Sequence, residues 1–312
     1  METWIDIIDR EYLTDYIPAG GGAVKFLVGG LELLAEASAK VDLLAERHEY
    51  IRVDLHAAQT RMHRIDHIFF EIARQIDWDG LAASFVAEGF RAAGWKVQQP
   101  VSQGFDLADI AWENGVEVPE VRVVLRSWLQ GLYDDFHMGQ DFRLALLQLC
   151  RAQIKGLEHS AVPVQQWLRG ELPRISELKA AKIFQKINRH NARLAFESLT
   201  YWLHRNGRQG LLITLDISRC FENPRKLERK DGFYYTTGSL TEVYELLRQL
   251  IDGSSELRGT FITVFTTPEF LSDEKRGVDR YQALKMRIFD DVRPAGLQNL
   301  LAPLVRLTEG IC

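Results

Sequence analysis

Residues 20–47 read GGGAVKFLVGGLELLAEASAKVDLLAER, and their pattern decides the fold. Val24–Val28 (VKFLV) is a short apolar run bracketed by Gly20-Gly21-Gly22 and Gly29-Gly30. Glycine punctuation at both ends marks a buried strand rather than a helix turn. From Leu31 to Arg47 the apolar positions Leu33, Leu34, Ala37, Val41 and Leu44 recur at helical spacing, and Glu32, Glu36, Lys40 and Glu46 fall mostly elsewhere. That spacing predicts an amphipathic helix. Tyr50–Leu55 (YIRVDL) predicts a second strand. Together the three make a unit of about 30 residues, the size of a parallel βαβ crossover.

Outward from this unit, Ile65, Ile68, Phe69, Ile72 and Ile76 form one face of a helix ending near Asp77. Further helices are predicted over Leu81–Ala93, Pro119–Tyr133, Phe142–Ile154 and Ser176–His204. The tract 77–174 shows little strand patterning and reads as a helical insertion. Strand signals return at Gly210–Ile217 (GLLITLDI), Gly259–Thr267 (GTFITVFTT) and Val305–Thr308. Between the first two, Ser239–Ile251 reads as a helix opened by a capping box of Ser239 and Glu242. Buried apolar strands separated by helices predict an α/β fold, a mainly parallel sheet flanked by helices on both faces. Residues 1–312 are read as a single domain enlarged by the insertion.

Composition narrows the class. Hydrophobic residues make up 46% and charged residues 26%, which excludes a disordered, collagen-like or disulfide-knotted chain. The 38 Lys+Arg stand against 43 Asp+Glu, so the net charge of −5 provides no whole-chain footprint for nucleic acid, although a local basic face is compatible with it. Cys150, Cys220 and Cys312 are widely spaced with no CxxC, a usage that fits a reduced cytoplasm better than a zinc site or disulfide framework. The apolar segment Ala23–Val41 is interrupted by Lys25, Glu32, Glu36 and Lys40, so it does not read as a membrane span. The opening METWIDIIDREY is acidic and does not read as a signal peptide. A cytoplasmic protein is expected.

The first strand and its glycines stand where a phosphate-binding loop would be. Such a loop needs G-x-x-x-x-G-K-[ST], whose backbone N–H groups cradle phosphates while the lysine and hydroxyl reach the terminal phosphate and Mg²⁺. Here Gly29-Gly30 runs directly into Leu31-Glu32-Leu33-Leu34, with no lysine or hydroxyl in place and a negative charge where phosphates would lie. The run Leu211–Asp216 has the strand-then-Asp form of a Walker B segment, but Ile217 occupies the position of the acid that polarises the attacking water. Asp at a strand end is also ordinary turn chemistry. Thr267, ahead of Pro268 and Glu269, could sense a γ-phosphate or cap a helix. His63, Asp66, His67 and Glu71 read as a polar cluster on one helix, with His63 and His67 spaced i, i+4, but Arg64 stands where HExxH has its glutamate, so no metal site is expected. Two basic groups could touch a phosphate backbone or simply be solvated: Lys179, Lys182, Lys186, Arg189 and Arg193 on the predicted helix, and Arg225, Lys226, Arg229 and Lys230 in a loop.

The order of these segments is more specific than any one of them. Tyr16-Ile17, the glycine run and VKFLVG are followed by Val53-Asp54-Leu55 and Met62-His63-Arg64-Ile65-Asp66. Then come WLRGE (167–171), Lys186-Ile187-Asn188, Asn191-Ala192-Arg193, Gly210–Asp216, LRQLID (247–252) and FTTPEF (265–270). The chain resembles the P-loop ATP-binding proteins of BREX-type phage-defence systems and related helicase-associated operons, over roughly Tyr12 to Leu307. The resemblance implies a P-loop NTPase-like (ASCE/AAA+) fold and work beside helicases or other defence proteins on DNA. It also implies a Walker A loop, which this sequence has in degenerate form, without its lysine and hydroxyl. The positions that carry over are Gly29 and Gly30 as a remnant loop, Asp216 as Walker B and Thr267 as a sensor. Arg280 and Arg287 are candidates to act in trans on a neighbouring subunit. The expectation is a non-hydrolysing scaffold or regulator that needs no cofactor, with ATP and Mg²⁺ only if the degenerate loop still binds them. Its partner would be an active ATPase, helicase or nuclease, in a homo- or hetero-oligomer, with DNA as a further partner. The alternative is an active ATPase using a non-standard phosphate loop, Gly20–Gly22 with Lys25.

Overall fold

The computed structural model describes residues 3–98, 104–155, 160–207, 210–222, 232–289 and 299–308. In chain order the strands are β1 (Gly22–Val28), β2 (Ile51–His56), β3 (Leu211–Asp216), β4 (Thr260–Thr266) and β5 (Leu304–Arg306). The helices are α1 (Trp4–Ile7), α2 (Leu31–Arg47), α3 (Ile65–Arg74), α4 (Trp78–Ala92), α5 (Leu107–Asn114) and α6 (Val118–Tyr133). They continue with α7 (Gln140–Ala152), α8 (Val162–Leu168), α9 (Ala192–Arg205), α10 (Thr237–Asp252), α11 (Glu269–Ser272) and α12 (Gln282–Ile288). The chain forms two compact units, residues 1–72 with 199–312 and residues 73–198.

The first unit is an α/β layer structure around one five-stranded sheet of order β2-β3-β4-β1-β5, with every pairing parallel. This agrees with the expected parallel fold and is compatible with a P-loop NTPase-like architecture. Strand β4 is buried along its whole length, and β3 along all but its last residue. A strand covered on both faces reads as a continuous apolar run, which is why these two were visible in sequence. On one face, Leu34, Ala37, Val41 and Leu44 of α2 pack with Leu27, Leu212, Phe261 and Phe265 of the sheet. Each such leucine or valine contributes about 1.5–3 kcal/mol of burial. The same cluster takes in Trp4 of α1 and Ile8, Leu13 and Ile17 of the following segment. Ile8–Tyr16 there is a π-helix, in which Thr14 bonds back to the Asp9 carbonyl at 2.8 Å. On the opposite face Phe26 of β1 stacks on Phe270 of α11 at 5.9 Å, and Tyr244 of α10 meets Phe270 edge-on at 6.0 Å.

The second unit is helical, from α4 to the beginning of α9. Its core includes Trp78, Phe90, Val121, Phe142, Leu149 and Trp167, all nearly inaccessible. Three expectations are corrected. No continuous helix spans Ser176–His204: a 3-10 helix covers Ile175–Ala181, Lys182 turns into the left-handed region at φ 61°, and α9 begins only at Ala192. The asparagines explain the break. The Asn188 N–H donates to Asn191 Oδ1 at 2.7 Å and the His190 N–H to Asn188 Oδ1 at 2.9 Å, so side chains compete with the helical backbone. The N-cap of α10 is Thr236, with Ser239 as its reciprocal partner at the third helical position. His63 lies in a turn before α3, so it and His67 do not share a helix face.

Candidate functional site

In open parallel sheets ligands bind beyond the carboxyl ends of the strands, where the order reverses. Here β1 lies between β4 and β5, and its crossover leads to β2 on the far side of β3. The carboxyl edge gathers Gly29 and Gly30 after β1, Asp216 at the end of β3, Thr266-Thr267 at the end of β4, and His56 at the end of β2. Leu27, Phe265, Asp216 and His56 stand side by side in register across four strands. The structure therefore brings Gly29-Gly30, the Walker B-like Asp216 and the sensor-like Thr267 to one edge. It adds His56, which sequence reasoning missed. The signal for His56 is the β2–β3 register, which local sequence does not contain.

The connection from β1 to α2 is two residues long. β1 ends at Val28 and Gly30 is the N-cap of α2, with Glu32 in the first turn. The Gly29 N–H is spent on the Thr266 carbonyl at 3.1 Å, and the Leu307 N–H on the Val28 carbonyl at 2.8 Å. A Cβ placed on Gly29 would meet the Leu307 side chain at 3.1 Å. Leu307 belongs to the same apolar cluster as Leu27, Leu34 and Phe265. Beside Gly29 the connection is thus closed by the Leu307 side chain, while a Cβ on Gly30 would meet nothing within 4 Å. The residues present do not fit a phosphate cradle.

Asp216 is engaged by its own fold. Its Oδ1 accepts from the Ser218 N–H at 2.8 Å, and Oδ2 lies 3.4 Å from His56 Nδ1. Burial pushes the Asp216 carboxyl up, but its bonds to His56 and Ser218 outweigh this, and it stays below the usual carboxylate range. His56 moves the other way: its bond to Asp216 raises the imidazole above its ordinary value. The next side chain, Ile217, is fully buried, so no acid is presented beyond Asp216. The Thr267 carbonyl accepts the Phe270 N–H at 3.0 Å, which ties the sensor-like position into the turn that starts α11.

Lys25 is not free to serve a phosphate. Its ammonium donates to the Leu301 carbonyl at 2.5 Å and the Ala302 carbonyl at 3.3 Å, and it lies 4.7 Å from the Tyr12 ring centroid. Gly20–Gly22 sit at the opposite, amino end of β1, where the Gly21 carbonyl accepts the Gly259 N–H at 3.0 Å. Arg287 grips Asp252 through two N–H groups, one at 2.9 Å, while Arg280 closes a 3-10 turn, Val278–Arg280. His63 packs edge-on to Tyr235 at 5.9 Å, and Asp66 is held bidentately by Arg64 at 2.9 and 2.6 Å. Among the described residues no group of three His, Cys, Asp or Glu could hold a metal ion.

Of the predicted nucleic-acid residues, the described ones lie between the 3-10 helix and the start of α9. Lys186 donates to the Leu172 and Pro173 carbonyls at 2.6 and 3.1 Å, and Arg193 pairs with Glu197 at 2.9 Å. Lys182 lies at the turn after the 3-10 helix and Arg189 in the asparagine turn. Arg225, Lys226, Arg229 and Lys230 lie outside the described residues, as does Cys312. Cys150 and Cys220 are buried and their thiols are pushed up by burial, the former to about 12, as expected of structural side chains. Among the described residues no helix is long and apolar enough to cross a membrane.

The model of the family described as BREX system ATP-binding protein BrxC/D matches residues 107–309. The chain belongs to this family. The match runs from α5 through β5, so it includes the Walker B-like strand, the sensor-like threonine and most of the helical unit. Membership ties the protein to the BREX system and to work with other proteins of that system. No curated protein and no solved structure shows a significant match to the chain.

Proposed function

We propose that this BrxC/D-family chain is a non-hydrolysing, AAA+-like subunit that serves as a scaffold or regulator in a DNA-directed defence complex. Its partner in that role is an active ATPase, helicase or nuclease of the same system. The observation that carries the reading is the two-residue connection Gly29-Gly30 between β1 and α2, its space bordered by Leu307. A phosphate cradle needs several inward-pointing backbone N–H groups and a lysine at its end. This connection supplies neither. The engagement of Asp216 by His56 and Ser218 supports the same reading, as does Ile217 in place of a water-polarising acid.

In this reading residues 1–312 are one AAA+-like domain, 77–174 its insertion, and the protein works in the cytoplasm without ATP or Mg²⁺ of its own. The competing phosphate loop is not favoured, because Lys25 is bonded within the fold and Gly20–Gly22 lie at the amino end of their strand. Calorimetric titration with ATP, ADP and Mg²⁺ tests the proposal. It expects no heat of binding at high protein concentration, and saturable nucleotide binding lost in Asp216→Ala would refute it.

A further inference from the structure

One face of α6 carries Arg122, Leu125, Arg126, Leu129 and Tyr133, at positions i, i+3, i+4, i+7 and i+11. Opposite it, α7 presents Leu144, Leu147 and Arg151 at i, i+3 and i+7. These side chains line a groove of about 520 Å³ within the helical unit. The leucines make its floor. Arg122, Arg126 and Arg151 edge it, and Lys182 joins them from the turn after the 3-10 helix. Lys182 is the left-handed C-cap of that 3-10 helix, with φ 61°.

Among the described residues no Asp or Glu lines the groove, and none of these four cations belongs to an ion pair. Elsewhere in the same unit some arginines are paired, Arg74 with Glu171 and Arg193 with Glu197, while Arg143 bonds the Tyr133 carbonyl. Four like charges around an apolar floor repel one another until an anionic partner arrives. We infer that this groove docks an acidic amphipathic helix of a partner protein. The α6 stripe from 122 to 133 is about 16 Å long, enough for roughly three turns of helix. Apolar residues at i, i+3, i+4 and i+7 would seat on the leucines, with flanking carboxylates against the arginines. A single-stranded nucleic acid would meet the same charges, but its bases stack on flat rings. Tyr133 is the sole ring lining the groove among the described residues.

The inference deepens the scaffold reading by naming the chemistry of the partner. Its test uses no nucleotide, so its failure leaves the nucleotide-binding test untouched. The probe is a fluorescein-labelled helical peptide of alternating turns, leucine on one face and glutamate on its flanks, titrated into the full chain by anisotropy. Saturable binding is expected, weakened about tenfold or more by R122E/R126E and again by R151E/K182E. Exchanging the peptide leucines for serine at constant charge is expected to abolish it. Amide exchange of the unaltered chain with peptide bound should show protection in α6 and α7, a readout independent of whether the variants fold. Equal binding of the serine peptide, protection outside these helices, or displacement of the peptide by a single-stranded oligonucleotide of equal charge would overturn the proposal.

Discussion

Asp216 and His56 hold each other in opposite protonation preferences, and both can be titrated. The raised His56 value means that the pair stabilises the fold fully below the ordinary imidazole pKa of 6.5 and loses that contribution as pH rises through the raised value. The lowered Asp216 value sets the other limit, where stabilisation is lost as pH falls through the depressed carboxylate pKa. Proton NMR of the His56 ring should therefore give a pKa above 6.5, and Asp216→Asn should bring it back down. An unchanged His56 titration in that variant would show that the contact does not form. Lys25 makes a second prediction. Burial depresses its pKa from 10.5 to about 8, so the folded chain binds fewer protons than the unfolded chain between those values. Stability should rise with pH across that window, by on the order of 3 kcal/mol from this group. Denaturant titrations at pH 8 and 10.5 should show the rise in the parent chain and its loss in Lys25→Met. At pH 10.5, where the folded lysine is neutral, that substitution should cost about 1–3 kcal/mol, because two carbonyls lose their donor.

At the scale of elements, β3 and β4 were legible because a buried parallel strand is a near-continuous apolar run, and the observed strand ends fall within a residue or two of those expected. The break between Ala181 and Ala192 was not legible. Its heptad-like spacing of lysines and arginines suggested a helix, but the asparagine side chains at 188 and 191 satisfy backbone donors locally and favour a turn. The cap of α10 was misplaced for a related reason: Thr236 and Ser239 are both good cap residues, and only the backbone at Thr236, extended at φ −73° and ψ 167°, distinguishes them. Gly210, which leads into β3, has φ +120°, and a Cβ there would lie 1.8 Å from the Gly259 carbonyl oxygen. Gly210→Ala should cost about 1–3 kcal/mol or more in chemical denaturation. At the other end of the unit Arg287 fastens α12 to Asp252 of α10. Asp252→Ala should speed amide exchange in 282–288 while leaving β3 and β4 protected.

For the whole molecule, the sheet order places Gly29, Gly30, Asp216 and Thr267 on one edge, beside side chains that are bonded within the fold. Leu307 borders the cradle position, His56 and Ser218 engage the aspartate, and Lys25 is tied to the segment before β5. The family resemblance was readable from local sequence, as was the absence of a lysine or hydroxyl directly after Gly29-Gly30, since both are motif-level features. What could not be read was tertiary: the partner of Asp216, the occupant of the space at Gly29, and the basic groove between α6 and α7 all depend on residues far apart in the chain. The measurement that decides the central claim is Mg²⁺-dependent phosphate release from ATP by the purified chain, beside Asp216→Ala. Release no greater than that of the variant is expected. Turnover in the parent chain that disappears in Asp216→Ala would contradict it.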